Sequence, residues 1–397
     1  EFYYYMEKVV IAAAKRTPIG KINGALKNFT SVDLGTIVTK AVINQANIKP
    51  SDVDQVVFGN VIQAGAGQNI SRQIEINSNI PYCSTANTVN QVCGSGLKAV
   101  RNAQAAIVMG DADVVIAGGV ESMSNAPFLN MDVRSGHKFG NVTLIDSLNN
   151  DALMDAFNKQ PMGVTAENVA EKFNVSRKEQ DEFAYQSHMK AANAFDNGYF
   201  DKELVPIEIK NKKSSYIMKE DENIRRDTSI EVLNKLRPAF KENGTVTAGN
   251  AASLNDGASA LVLMSESAAK RLNVKPLAVI DGYAEAGCDP DYMGYAPYDA
   301  TKSLFDKLNI TMNDIDLVEL NEAFAAQVLA VAHDYDIDMD KLNISGGAIS
   351  MGHPLGDSGA RIVGSLIYNL QRTNQKSGLA TICIGGGMGM AMKITLL

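Results

Sequence analysis

Short apolar runs and stretches of helical period take turns along the chain from residue 9 onward. Residues 9–14 are an apolar run ending in Lys15-Arg16-Thr17-Pro18-Ile19-Gly20, the pattern of a buried strand followed by a loop. Residues 31–47 put Leu34, Ile37, Val38, Ala41 and Val42 on one face, which predicts a helix capped by Ser31 or Asp33. A strand over 52–59 follows, then a stretch through the Pro81 loop. Residues 88–92 lead into Cys93, beyond which Ala, Val, Leu and Lys recur at helical spacing as far as Met109. Residues 113–119 read as another buried strand. Strands and helices in this alternation predict a mainly parallel sheet covered by helices.

From about residue 121 to 250 the rhythm breaks, as it does at an insertion. Helices are expected over 164–173 and 176–197, the second opened by Ser176 and Glu179 in capping-box spacing. A run rich in small residues, 247–257, and a helix over 265–272 bring the chain back to the first unit. After residue 274 the first pattern returns: a strand over 278–284, and a stretch 313–321 that repeats the polarity of 51–59. Residues 342–345 lead into a glycine-rich corner and a helix over 358–370, much as 88–92 lead into Cys93, and 379–383 parallels 113–117. The chain reads as an α/β protein of two duplicated halves, 6–120 and 274–397. The insertion 121–250 interrupts the first half, which resumes up to about 273.

Composition narrows the partners. A chain of 397 residues exceeds one simple core, and 45% hydrophobic against 21% charged residues is the balance of a soluble globular protein. A net charge of −8 argues against nucleic acid or an anionic membrane as the partner. No apolar run reaches membrane-spanning length, and residues 1–5 lack the basic-then-apolar order of a secretion signal, so Met6 is the expected natural start. Cys83, Cys93, Cys288 and Cys383 lack zinc-like spacing, and Asp334, Asp336, Asp338 and Asp340 lack the glycine and glutamate of a calcium loop. No metal is expected, and the scattered cysteines suit a reducing cytoplasm.

Cys93 stands at the predicted strand-to-helix corner, where unpaired N–H groups and the helix dipole bias a thiol toward the thiolate that attacks carbonyl carbon. Taken alone it better fits a buried structural cysteine beside a turn, a reading that the motifs near the C-terminus weaken. His353, between Gly352 and Pro354 and just ahead of a helix, is a candidate base, whereas His137, His188 and His333 fit surface or core roles. Cys383 closes an apolar strand ahead of Gly385-Gly386-Gly387, so its thiol would face a substrate whose oxygen the Gly385 N–H holds. Asn321 would orient a water or an oxyanion and Glu322 would hold that network; an ordinary helix cap is the alternative for both. Neither a Gly-x-Ser-x-Gly elbow nor a phosphate-binding P-loop is present.

Four runs, Gln91-Val92-Cys93-Gly94-Ser95-Gly96, Asn321-Glu322-Ala323-Phe324, Gly352-His353-Pro354 and Cys383-Ile384-Gly385-Gly386-Gly387, stand in the order and spacing of the thiolases. The chain resembles that family from about Lys8 to its C-terminus, and most closely the biosynthetic acetyl-CoA acetyltransferases. The resemblance implies the thiolase fold, in which two αβαβα halves form a five-layer core and an inserted loop domain holds coenzyme A and makes oligomer contacts. It also implies a homotetramer, a dimer of dimers. Cys93 would accept the acetyl group, His353 would activate Cys93, and Cys383 would move the proton at the nucleophilic carbon. Asn321 would hold the water that completes one oxyanion hole with His353, and the N–H groups of Cys93 and Gly385 would form the other. Arg225 matches the position packed against the coenzyme A adenine. Met162, Ala248, Met293 and Phe324 match positions lining the pantetheine and acyl pocket. Two departures touch the pantetheine arm. Pro161-Met162-Gly163 replaces the usual His-Met-Gly, and Ala252-Ser253 replaces the usual Ser-Gly, with Ser253 in a position to compensate.

The implied reaction is the reversible Claisen condensation of two acetyl-CoA to acetoacetyl-CoA and CoA through an acetyl-cysteine. Thioesters are the substrates and no cofactor is needed, because a thioester keeps its carbonyl electrophilic and its α-proton comparatively acidic. Two other readings remain at this stage: a degradative 3-ketoacyl-CoA thiolase of broader chain length, and an acyl-CoA-binding scaffold without turnover.

Overall fold

The computed structural model describes residues 7–212 and 214–397, so the expected start at Met6 lies outside the described residues. The first half contributes strands β1 (Val9–Arg16), β2 (Gln55–Gly59), β3 (Thr85–Val89), β4 (Val114–Ser122) and β5 (Asn255–Ser265). The second contributes β6 (Ala278–Gly287), β7 (Leu317–Leu320), β8 (Ser377–Ile384) and β9 (Met388–Leu396). They lie in one sheet in the order β7-β8-β9-β6-β1-β5-β4-β2-β3. The main helices are α1 (Ser31–Ala46), α2 (Ile70–Asn77), α3 (Ser95–Met109), α4 (Met162–Lys172), α5 (Arg177–Asp196), α6 (Ala296–Leu308), α7 (Ala325–Asp334) and α8 (Leu355–Thr373). Thr30, rather than Ser31 or Asp33, caps α1. Its hydroxyl accepts from Asp33 N at 3.1 Å while the Asp33 carboxylate accepts from Thr30 N at 2.8 Å.

The sheet is mixed, which corrects the expectation of a mainly parallel one. β2 is parallel to β3 and β4, and β7 to β8, but β5 is antiparallel to β1 and β4, and β9 is antiparallel to β6 and β8. The cause is local in the second half, where β8 turns straight into β9 through Gly386 and Gly387 at φ 89 and 83. In the first half β5 takes the same place after the insertion. The repeat is plain in this topology: β1, β2, β4 and β5 recur as β6, β7, β8 and β9, and a parallel bridge Val318↔Leu342 stands where β2 meets β3.

Side-chain alternation sorts these strands into layers. In β4, Val114 and Ile116 join an outer core with α1 and α2, while Val115 and Ala117 join a central core. In β8, Leu379 faces α6 and α7, while Ala380, Ile382 and Ile384 face the same central core. That core is filled by α3 and α8, flanked by the two halves of the one continuous sheet, so five layers stack as helix, half-sheet, helix, half-sheet, helix. Each fully buried Leu or Ile in it contributes roughly 1.5–3 kcal/mol. The two central helices meet backbone to backbone. A Cβ on Gly359 would lie 2.3 Å from Leu97 N, and one on Gly96 would lie 2.6 Å from Ala360 N. Only glycine permits that approach, and it draws the N-terminal ends of α3 and α8 together.

Between β4 and β5 the chain forms α4, α5, the hairpin Ile207–Lys210 with Ser215–Met218, and an arm that pairs Phe128–Leu129 with Ile145–Asp146. The capping box at Ser176 and Glu179 is present. Among the described residues, no helix is long and apolar enough to cross a membrane.

Candidate active site

The corner between β3 and α3 is strained. Val92 has φ 46, a left-handed conformation that a β-branched residue rarely adopts. Three hydrogen bonds hold it there: Ser95 Oγ accepts from Gln91 N at 2.8 Å and donates to Val92 O at 2.6 Å, and Asn90 Oδ1 accepts from Val92 N at 3.0 Å. The bend sets Cys93 on the wall of a cavity of about 70 Å³ that His353 also lines. Met162, Ala252, Ser253, Met293 and Phe324 complete much of that wall. Cys383 is fully buried against Met293, Ala323 and Phe324, immediately behind it. The backbone N–H groups of Gly385 and Cys93 lie near enough to the Cys93 sulfur to favour its charged form. A Cβ on Gly385 would meet Met162 Sδ at 3.4 Å and Val92 Cγ1 at 3.5 Å, so this N–H sits at the same wall.

His353 enters from the start of α8. Its backbone N–H donates to Asn255 Oδ1 at 2.9 Å, and a Cβ on the preceding Gly352, at φ 115, would strike Asn255 Cγ at 2.5 Å. Nδ1 lies 2.6 Å from Ser358 Oγ. That hydroxyl has one proton, and the Pro354 carbonyl, 3.2 Å away, accepts it. With that proton donated to the Pro354 carbonyl, Nδ1 carries the ring proton and Nε2 is a bare acceptor. Nε2 is buried and has no partner among the described residues.

Asn321, at the end of β7, also carries unused capacity. It is 1% exposed, and neither its Oδ1 nor its Nδ2 has a partner among the described residues. Buried amides are not left so without water or ligand. The next residue, Glu322, is fully engaged, accepting from Ser187 Oγ at 2.7 Å, Asn343 Nδ2 at 2.9 Å and Ile349 N at 3.1 Å. It thereby ties the Asn321 corner to the segment that leads to His353.

Electrostatics correct one expectation. Burial pushes the Cys93 thiol up to about 11, against partial relief from the Gly385 and Cys93 N–H groups, and the Glu121 carboxylate pushes the same way. Lost hydration outweighs the helix dipole, so the resting group is a thiol and not a thiolate. Burial, and then the Arg361 guanidinium, lower His353 to about 3, so the imidazole is neutral. The Cys383 thiol is driven well above the ordinary cysteine range, first by burial and then by Cys93. A neutral thiol facing a neutral imidazole can transfer its proton as a bond forms at sulfur.

Two expected contacts lie elsewhere. Arg225 and Ala248 are exposed and outside the cavity, although the Arg225 N–H donates to buried His188 Nδ1 at 3.0 Å. Ser253 spends its hydroxyl on Asn255 Oδ1 at 2.9 Å. Sequence reasoning missed Ser358, Asn255 and Met123. Ser358 lies in the first turn of the helix that follows His353 and was within reach of inspection; Asn255 and Met123 become neighbours of the site only through β5 and β4.

The profile of the family "Thiolase, N-terminal domain" matches residues 9–267, and that of "Thiolase, C-terminal domain" matches 274–396. The chain belongs to the thiolase family. It is 49% identical over 388 residues to an acetyl-CoA acetyltransferase of Chromobacterium violaceum, covering 98% of this chain and 99% of that one. The crystal structure of a Bacillus anthracis acetyl-CoA acetyltransferase matches at TM-score 0.96 and 42% identity, covering 99% of each chain. That of human mitochondrial 3-ketoacyl-CoA thiolase in complex with CoA matches at TM-score 0.95 and 43% identity, covering 99% of this chain and 98% of that one. This thiolase thus has the thiolase fold and is an acyltransferase.

Proposed function

We propose that this thiolase is an acetyl-CoA C-acetyltransferase, condensing two acetyl-CoA to acetoacetyl-CoA and CoA and running the reverse thiolysis. One observation carries the reading: Cys93 and the open Nε2 of His353 share one small apolar cavity, with Cys383 directly behind its wall. In the first half-reaction Cys93 Sγ attacks the acetyl carbonyl carbon as Nε2 takes its proton. The bond to the coenzyme A sulfur breaks, and Cys383 gives that sulfur a proton. The Cys93 and Gly385 N–H groups bind the oxyanion, a contribution of roughly 10²–10³ in rate for a single donor.

In the second half-reaction the Cys383 thiolate takes an α-proton from a second acetyl-CoA. The resulting carbanion attacks the acetyl carbon, and the Cys93 sulfur leaves and recovers its proton from the His353 imidazolium. The enolate oxygen is held by that imidazolium and a water on Asn321. The high proton affinity of the buried Cys383 makes its thiolate strong enough for this work.

Coenzyme A would enter past Ala252 and Ser253, its pantetheine arm along Ala248 and its adenine on the exposed Arg225. Met162, Met293 and Phe324 would bound the acyl group. A free volume of about 70 Å³ suits an acetyl group, which favours the condensing enzyme over a long-chain degradative thiolase. The second reading draws on the similarity to the mitochondrial 3-ketoacyl-CoA thiolase. Thiolysis rates that fall steeply beyond acetoacetyl-CoA support the first reading, and flat rates to longer chains support the second.

The segment 121–250 would hold coenzyme A and make oligomer contacts between copies of the halves 6–120 and 274–397. Its arm carries exposed Phe128, Met131, Phe139 and Leu144, apolar surface that suits a dimer of dimers. A site that depends on reduced thiols suits the cytoplasm. The deciding experiment is incubation with labelled acetyl-CoA, an acid quench and peptide mapping. Label on the Cys93 peptide, absent from Cys93→Ala, is the expected result; steady turnover without that label overturns the proposal.

A further inference from the structure

Glu121, near the end of β4, is 0% exposed, and its carboxylate is held by neutral donors from both halves of the molecule. From the first half, Asn60 Nδ2 and Ile62 N donate to Oε1 at 2.8 and 3.0 Å, and Val61 N donates to Oε2 at 3.0 Å. From the second half, Gly356 N donates to Oε2 at 2.9 Å. Burying a carboxylate is costly, and an amide of similar shape would serve as packing. The carboxylate is the group that accepts on all four sides at once.

The donors lead to both reacting groups. Gly356 lies in the first turn of α8, just beyond His353. Asn60 N donates to Val89 O at 3.0 Å, at the end of the strand that runs into the strained corner, while Val61 and Ile62 pack in the same core as Cys93 and Leu355. The fit leaves no slack. A Cβ on Gly119 would lie 1.9 Å from Gly356 O, and one on Gly356 would lie 2.4 Å from Val120 O.

We propose that Glu121 is a positioning residue whose carboxylate locks the start of the His353 helix to the loop behind the Cys93 corner, setting the spacing of base and nucleophile. It touches no substrate. The inference rests on the roles assigned above to Cys93 and His353. Proton transfer is steep in distance, and a displacement of about 1 Å costs on the order of 10²-fold in rate.

Two variants test it. Glu121→Gln keeps the volume but turns an NH₂ toward an N–H donor; Glu121→Asp keeps the charge but withdraws it by one methylene. With saturating labelled acetyl-CoA in single turnovers, Cys93 acetylation should slow about 100-fold in E121Q and about 10-fold in E121D, with KM within about twofold of the parent. Alkylation of Cys93 by iodoacetamide also requires loss of the thiol proton to His353, so it should slow alongside acetylation. Acetylation within about threefold of the parent in both variants overturns the proposal. So does a raised KM at unchanged kcat or an alkylation rate unchanged beside slowed acetylation, since each leaves the spacing of base and nucleophile intact, and so does failure of both variants to fold, which makes the contact a scaffold only. Absence of label on parental Cys93 instead overturns the functional reading, and this inference with it.

Discussion

The first half passes from β3 into α3 through Val92 at φ 46, whereas the second passes from Leu342 into α8 through a short turn, Ala348–Met351, and Gly352 at φ 115. The corners occupy corresponding places in a duplicated topology, yet one holds a thiol and the other an imidazole. A β-branched residue in a left-handed conformation costs about 1–3 kcal/mol, offset by the Ser95 and Asn90 hydrogen bonds, while glycine adopts such a φ without strain. A nucleophile has to be aimed, and in the proposed mechanism the rigid corner aims it. A base needs a defined tautomer as well, and Ser358 supplies that at the ring while Asn255 holds the His353 backbone N–H, side-chain contacts rather than backbone strain.

The comparison breaks most sharply at the thiol. Cys93→Ala should lower turnover on the order of 10⁴-fold or more while leaving CoA binding intact, as steady-state rates and calorimetry will read. Equal losses in rate and affinity would mean that the first corner binds rather than reacts. Next, Gly359→Val should separate α3 from α8 and cost about 3 kcal/mol in urea unfolding, because its side chain would overlap Leu97. A stable, active Gly359→Val would show that the corners need no close helix contact.

The pH response sharpens the contrast further. Folded His353 stays neutral down to about 3, whereas the unfolded residue protonates near 6.5. The unfolded chain thus binds more protons as pH falls, so stability drops from 6.5 toward 3, by about 2 kcal/mol between pH 6.5 and 5. His188, lowered to about 4, adds a slope of the same sign. Urea midpoints for His353→Asn should decline less than those of the parent over that window; identical slopes would place His353 outside the neutral, buried state described. The smallest effect belongs to Ser358→Ala, which should cost about tenfold in kcat, equivalent to about 1.4 kcal/mol, by freeing the imidazole tautomer. A change in KM alone would assign Ser358 to substrate binding.

Much of the proposed site was legible because its candidate residues carry their own signals. Cys93, His353 and Cys383 each stand beside glycines at the end of an apolar run, and those runs proved to be strand ends and a helix start. The supporting residues carry no such signal. Ser358 looks like any serine in a helix, and Glu121 like any acid at the end of a strand. The run 255–265 yields no predicted element over its small residues, yet it is a fully buried strand, paired at both edges by β1 and β4 and packed on both faces into the central and outer cores. The expected thiolate failed for a related reason: a dipole argument uses local sequence, but hydration is lost to residues far along the chain.

The order of residues by itself determined the two-half α/β plan, the family, and the identity of two thiols, an imidazole and an amide as reactive candidates, since periodicity and short glycine-flanked motifs are local properties. Only the tertiary structure decided that Cys93 and His353 share one cavity with Cys383 behind its wall, that thiol and imidazole rest neutral, and that Ser358 and Asn255 hold the imidazole's ring and backbone. Those are matters of distance and desolvation, and both arise where the glycine contact between α3 and α8 brings residues about 260 positions apart into touch.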